Sequence, residues 1–326
     1  MEIELVDPSL RRLVSRVGSV DLSKASARRL ARLVGGLQVA RPERGVQITQ
    51  VRAGAARLRL YRPAAPRQAR PAAGLLWIHG GGYLFGRARQ DDFLCARVAR
   101  ELGLPVASAE YRMAPEHPFP AALEDVAAAW AWLAGQADRA ESRGAGPVRL
   151  GIGGESAGGG LAAGLVQRLR DAAGRQPAAQ WLFAPMLDDR TGANRDLDQI
   201  EHWVWANSAN RAAWRFYLGA EPGAAALPPY ASPGRRADLS GLPPTYITMG
   251  DIELFHAEDL AYAERLAAAG VPVATDVVPG APHAIIHADR IPVARAVVTR
   301  ALAWLAATLA PPPAPAPPPN GADPGM

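Results

Sequence analysis

Cysteine, lysine and long apolar runs are almost missing from this chain, and each shortage excludes something. Cys95 is the single cysteine in 326 residues, so no internal disulfide can form and nothing points to an oxidising compartment. No stretch reaches the ~18 apolar residues that a membrane-spanning helix requires. The opening Met1 Glu2 Ile3 Glu4 lacks the basic segment and apolar run of a secretory leader, so a soluble, cytoplasmic protein is expected. Lysine occurs once, at Lys24. The other basic side chains are arginines interleaved with acids. The formal charge of +5 is therefore not gathered into the stripe a nucleic-acid partner needs, and none is expected. Neither a metal-ligand cluster nor a phosphate-binding loop is visible, so no metal and no other cofactor is expected.

What the sequence does have is apolar mass and glycine. Hydrophobic residues make up 49% of the chain, enough for one substantial core, and one large α/β domain with an insertion fits better than two independent units. The stretch Gly153 Gly154 Glu155 Ser156 Ala157 Gly158 Gly159 Gly160 follows an apolar run at 148–152 and precedes a helix-forming run to about residue 170. Its Gly-x-Ser-x-Gly pattern makes physical sense on a sharp strand-to-helix turn. Glycines at 154 and 158 remove side chains where backbones crowd, and Ser156 sits strained and exposed above a sheet. The amino end of the helix behind it favours a developing negative charge. Ser156 is expected to be a nucleophile. A dinucleotide-binding turn on Gly151 and Gly153 is the competing reading, and it fails because Ser156 holds the place of the third glycine.

The chain in order supports a sheet around that turn. Residues 1–45 read as two short amphipathic helices, with Leu10, Leu13, Val14 and Val17 on one face and Leu30, Leu33, Val34 and Leu37 on another. Such a segment is either a lid or a packed appendage. Residues 46–51 and 57–61 alternate as half-buried antiparallel strands do. Leu75 Leu76 Trp77 Ile78 is continuously apolar, as in a strand buried on both faces, and it runs into His79 Gly80 Gly81 Gly82. Glycines there supply backbone N–H groups with no side chains in the way, which oxyanion stabilisation needs. Gly81, Gly82 and Ala157 are expected to form the hole, with His79 placing the loop and not acting as a base. Strands at 104–109, 178–184, 244–249 and 271–278 alternate with helices, which gives a mostly parallel sheet. From about 187 to 236 the rhythm breaks, and many aromatics, Trp203, Trp205, Trp214, Phe216 and Tyr217 among them, fall in one insertion where a substrate-covering cap would sit. Gly250 Asp251 Ile252 Glu253 follows a late strand at the sheet's carboxyl end. Pro279 Gly280 Ala281 Pro282 His283 comes after the last strand. Nucleophile, acid, histidine is thus the chain order. Residues 311–326 form a Pro/Ala-rich tail with no means of packing, expected to be disordered.

Taken together, His79 Gly80 Gly81 Gly82, then Tyr111 Arg112 Met113 Ala114 Pro115 Glu116 His117 Pro118, the Gly154–Gly158 elbow and Pro282 His283 resemble the hormone-sensitive-lipase-like family of bacterial esterases, over roughly residues 70–305. The resemblance implies an α/β-hydrolase fold, a mostly parallel central sheet with helices on both faces and a helical cap. Residues 1–45 would be a cap segment, 46–310 the hydrolase domain with its cap insertion at about 187–236, and a homodimer is possible. The family's Gly-x-x-Asp-x-x-x-Asp-Glu segment, laid on 250–258, puts Glu253 at the acid position where an aspartate is usual. Asp251 is the competitor, and Asp188 and Asp189 come third. His283 is the base by its Pro-His turn and His287 the alternative, while His202 and His256 have no motif and are expected to be solvated. Ala284 Ile285 stand where the family commonly shows Gly-Phe.

These readings converge on a serine carboxylesterase that hydrolyses small short-to-medium acyl esters through an acyl-enzyme. Ser156, Glu253 and His283 form its triad. An amidase, lactonase or peptidase on the same triad, or a non-catalytic receptor on the scaffold, are the alternatives.

Overall fold

Period-two patterning at the start of the main domain gives β1 (Val46–Ala53) and β2 (Ala56–Pro63), paired antiparallel in the register Val46 to Pro63 and Ala53 to Ala56. The computed structural model describes residues 1–16, 21–34, 43–54, 56–64 and 73–311, and the backbone alone at 35–37. The apolar run at 75–78 becomes β3 (Ala73–Ile78), buried on both faces as a continuous hydrophobic strand must be. It is followed by β4 (Val106–Glu110), β5 (Arg149–Glu155), β6 (Ala179–Phe183), β7 (Thr245–Gly250) and β8 (Val273–Val278). The eight strands lie in the order β1-β2-β4-β3-β5-β6-β7-β8. From β4 to β8 every pair is parallel, and β2 meets β4 antiparallel.

Helices connect these strands and cover both faces. In chain order they are α1 (Arg11–Val14), α2 (Ala25–Leu37), α3 (Asp92–Leu102), α4 (Ala121–Glu141), α5 (Ala157–Asp171), α6 (Asp189–Ala193), α7 (Asn207–Leu218), α8 (His256–Ala268) and α9 (Pro292–Thr308). One core holds the apolar faces of α3 and α9 against Trp77, Trp181 and Phe183. The other holds α4, α5 and α8 against Leu76, Ile78, Leu182 and Ile247. Trp77 and Trp181 meet at 4.9 Å across the centre of the sheet. Each such ring removes roughly 150–250 Å² from water, an upper bound of about 4–6 kcal/mol apiece.

The first N-terminal helix falls short of its sequence reading, while the second forms as α2. Only one turn, α1, is helical near Leu10, and Leu13 is exposed while Leu10 and Val14 are buried. In α2 the stripe Leu30, Leu33 and Val34 faces outward, at 60%, 60% and 57% exposure. The cause is its arginines. Arg32 donates to the carbonyls of Leu84 and Ala114 at 2.7 Å each and pairs with Glu116, and Arg28 donates to the carbonyls of Leu22 and Ser23. The polar side of the helix is thereby fastened inward and its apolar side left outside. Val17, the side chain of Leu37 and the tail beyond Pro311 lie outside the described residues.

The insertion between β6 and β7 holds α6, α7 and short 3-10 turns, and Trp214 and Tyr217 of α7 bury against Tyr83. Its start meets the sheet at the place where β5 turns into α5, where the Met186 N–H donates to the Ser156 carbonyl at 2.9 Å. A Cβ on Gly158 would stand 2.1 Å from the Ile78 carbonyl oxygen and 2.4 Å from that of His79. Only glycine lets α5 come so close. Gly158→Ala is therefore expected to cost about 3 kcal/mol or more, a fall in Tm of at least roughly 4 °C. Gly174→Ala, with open space around its Cβ, should stay within about 0.5 kcal/mol of wild type. Equal melting of the two variants would remove the close-approach argument.

Candidate active site

The elbow itself is strained where the sequence asks for it. Ser156 has φ 54° and ψ −121°, a conformation costing about 1–3 kcal/mol for a residue with a side chain. Three backbone hydrogen bonds hold it there: its N–H donates to the Phe183 carbonyl, and its own carbonyl accepts from Gly160 and Met186, all between 2.9 and 3.0 Å. The side chain is consequently presented at the carboxyl ends of the strands, where β7 and β8 deliver two more groups. His283 Nε2 lies 2.9 Å from Ser156 Oγ, and His283 Nδ1 lies 2.6 Å from Glu253 Oε2. All three residues are buried, between 4% and 5% exposed. Nδ1–H donates to the carboxylate, which leaves Nε2 as the acceptor facing the serine hydroxyl. Two rings fix the imidazole: Phe255 meets it edge-on at 5.2 Å and Trp205 at 6.1 Å.

The competing acids are placed elsewhere. Asp251 Oδ1 accepts the N–H of Gly280 at 2.7 Å, so it shapes the turn that carries His283 without touching the ring. Asp188 pairs with Arg190, and buried Asp189 accepts from the N–H of Gly223. Behind Glu253, burial followed by the charges of Glu253 and Glu258 pushes Asp259 well above the usual carboxylate range. Burial pushes Glu258 up to about 8, against hydrogen bonds from Thr191 and from the Leu187 and Asp188 amides. Glu253 is thus the acid that meets the histidine.

The glycine loop closes over the same point. A Cβ on Gly80 would stand 3.3 Å from Ser156 Cβ. Gly81 has φ 120°, and a Cβ there would stand 2.1 Å from the Phe85 carbonyl oxygen; one on Gly82, at φ 58°, would meet the Trp205 ring at 2.4 Å. The amides of Gly81, Gly82 and Ala157 donate to no acceptor among the described residues. His79 is buried, its Nδ1–H donating to the Gly80 carbonyl at 2.8 Å and its ring stacked on Tyr111 at 4.3 Å. Burial holds its imidazole below the ordinary value. It braces the loop and meets neither Ser156 nor Glu253.

A cleft of about 860 Å³ opens over Ser156, lined by Trp205, Phe85, Ile200, Leu30, Val34 and His202 among others. This lies within the ~300–1,000 Å³ of small-molecule sites. The expectation of solvated histidines is corrected here: His202 and His256 are both half-buried, and His202 faces the cleft. His287 is engaged with Glu155 at 2.8 Å and not with Ser156. Ala284, where the resembled family has glycine, stands at φ 62° in the left-handed region that glycine favours.

Comparison with known proteins follows this geometry. The family model described as alpha/beta hydrolase fold matches residues 75–287. The chain belongs to that family. The hormone-sensitive-lipase-like resemblance agrees with that family and with relatives named as esterases. An ethyl acetate hydrolase of Pseudomonas putida is 35% identical, over 69% of this chain and 70% of that protein. Esterase LipI of Mycobacterium tuberculosis is 34% identical over 76% of each. Among solved structures, bacterial heroin esterase superposes with a TM-score of 0.83 at 34% identity, over 94% of this chain and 99% of that one. No helix among the described residues of this α/β-hydrolase family member is long and apolar enough to cross a membrane.

Trp205, Phe255, Glu155 and the engaged state of His287 were not singled out by motif reasoning. Only the clustering of aromatics in the insertion pointed towards Trp205. A phosphonofluoridate probe that forms a covalent adduct on an activated serine tests the arrangement without presupposing a substrate. Ser156→Ala should give no adduct by mass spectrometry, and Glu253→Gln should label about 10³-fold more slowly than wild type. Asp251→Asn should stay within about tenfold of wild type; the reverse ranking would transfer the acid to Asp251.

Proposed function

We propose that the protein is a serine carboxylesterase acting on small esters, with Ser156 as nucleophile, His283 as general acid and base, and Glu253 as the acid that orients His283. The observation that carries this is the chain of hydrogen bonds from Glu253 through His283 to Ser156, at 2.6 and 2.9 Å. Membership of the hydrolase family and relatives named as esterases support it.

In the first half-reaction His283 Nε2 takes the proton of Ser156 Oγ as the oxygen attacks the ester carbonyl carbon. The carbonyl electrons move onto its oxygen, which the amides of Gly81, Gly82 and Ala157 are placed to receive. Each such fixed donor is worth roughly 2.7–4 kcal/mol of barrier in acyl-transfer enzymes. When the intermediate collapses, the bond to the alcohol oxygen breaks and His283 delivers its proton to that oxygen, so the alcohol leaves neutral. Water then gives its proton to His283 and attacks the acyl-serine. A second collapse returns the proton to Ser156 and frees the acid. Glu253 accepts from Nδ1–H throughout, which fixes the tautomer and favours the transient imidazolium.

The apolar cleft lining favours short-to-medium acyl groups. The proposal also includes a cytoplasmic location, supported by the lone, buried and free Cys95, and self-association, which the family resemblance implies. Fractionation that finds the protein secreted, or sedimentation that returns a single-chain mass, removes those two parts.

The central test is hydrolysis of p-nitrophenyl esters of increasing acyl length. Folded wild type should turn over the shorter esters, and Ser156→Ala and His283→Ala should each lose about 10⁴-fold or more in kcat. Wild type that hydrolyses none of the series, while still folded, would unseat the esterase reading.

A further inference from the structure

A second cluster, two buried carboxylates and one histidine open to the cleft, stands beside the triad and is not used by the mechanism above. His287 Nε2–H donates to Glu155 Oε2 at 2.8 Å and lies 4.0 Å from Asp91 Oδ1. Asp91 Oδ2 accepts from Trp77 Nε1 at 2.7 Å. Glu155 and Asp91 are fully buried, whereas 35% of the His287 side chain opens onto the cleft. Asp91 Oδ1 and Glu155 Oε1 have no donor among the described residues. Buried carboxylate oxygens in that condition are costly unless positive charge stands close by.

Glu155 touches three segments of the site at once. Its backbone leads directly into Ser156. Its Oε2 would stand 3.2 Å from a Cβ on Gly80, so it lies against the glycine loop. Its hydrogen bond reaches His287, four residues beyond His283 on the same turn. We propose that His287, through its hydrogen bond to Glu155, is a positioning residue that ties the His283 turn to the nucleophile elbow and the glycine loop, its positive charge balancing the buried Glu155 carboxylate. This rests on the serine-esterase reading.

The groups facing the pair come from several elements. His287 faces Glu155 on β5, Asp91 in the turn before α3, and Asp289 on its own segment. Glu155 faces His287, His283 and His79. Asp91 faces His287, Glu155 and Asp92, and it acts on Cys95 and Tyr111. Burial works against the His287 cation, yet Glu155 and then Asp91 carry the imidazole up to about 9. Burial likewise opposes the Glu155 carboxylate, and His287 holds it below its ordinary value. Because the folded His287 value is raised, the ion pair is present at neutral pH and is lost as pH rises through about 9. Losing it leaves Glu155 as a buried, unbalanced charge next to His283.

The pH dependence of p-nitrophenyl acetate hydrolysis tests this in wild type and His287→Gln, which keeps a donor but no charge. Wild type should lose activity along an alkaline limb near pH 9. His287→Gln should lack that limb and lose about tenfold in kcat, with KM changed less than about twofold. A variant that keeps the wild-type kcat and limb overturns the proposal. Histidine-ring NMR on the wild-type protein decides the point if the variant does not fold. A His287 ring still protonated at pH 8 supports the pair, and one titrating at or below about 6.5 overturns it. Tight Zn²⁺ binding that Asp91→Asn abolishes would make the cluster a metal site and overturn it too. Should wild type hydrolyse no ester, the esterase reading falls separately, and the ring titration still settles whether the pair exists.

Discussion

The approach of α5 to the end of β3 at Gly158 is the constraint on which the rest of the site depends. With no Cβ at that position the helix backbone reaches the carbonyls of Ile78 and His79. The start of the helix is therefore fixed against the strand that carries the glycine loop. Ser156 and the loop amides are then held in one rigid frame, as the proposed mechanism requires if charge is to develop without the protein having to reorganise. A looser junction would keep the same residues and lose their alignment.

That frame also explains how the strain at Ser156 is tolerated. The serine's backbone is over-determined by Phe183 on one side and by Gly160 and Met186 on the other. Each neighbouring element thus has its own stake in the elbow: β6 through Phe183, α5 through Gly160, and the start of the insertion through Met186. Aromatic packing completes the enclosure. Trp205 reaches from the insertion to both Gly82 and His283. The insertion is in this way part of the site's inner wall.

Much of this was legible in the sequence because close backbone approaches can be met only by glycine, and buried parallel strands only by continuous apolar runs. Both leave marks that survive without a structure. The Gly154–Gly158 elbow, the 80–82 loop and the strands of the parallel half belong to that class. The choice of Glu253 over Asp251 came from the family resemblance, and the geometry puts Glu253 on His283 and Asp251 on Gly280. What stayed hidden depends on side chains meeting across long separations. The outward turn of α2 is an example: its apolar periodicity is real, but periodicity cannot say which face turns inward when arginines find carbonyls to hold. The pairing of His287 with Glu155, 132 residues apart, has no local signature, and neither does the half-burial of His202.

The fastening of α2 has a consequence for how such a protein diverges. Half of Arg32's hydrogen bonds go to main-chain oxygens, those of Leu84 and Ala114, and half to the Glu116 carboxylate. Main-chain oxygens are present whatever side chains those positions carry. That half of the attachment survives substitution in the loops it grips, while Leu30 and Val34, on the opposite side of the helix, line the mouth of the cleft. Selection can rewrite the surface a substrate meets and leave the clasp that holds it untouched, so new specificities can arise there with little penalty in folding.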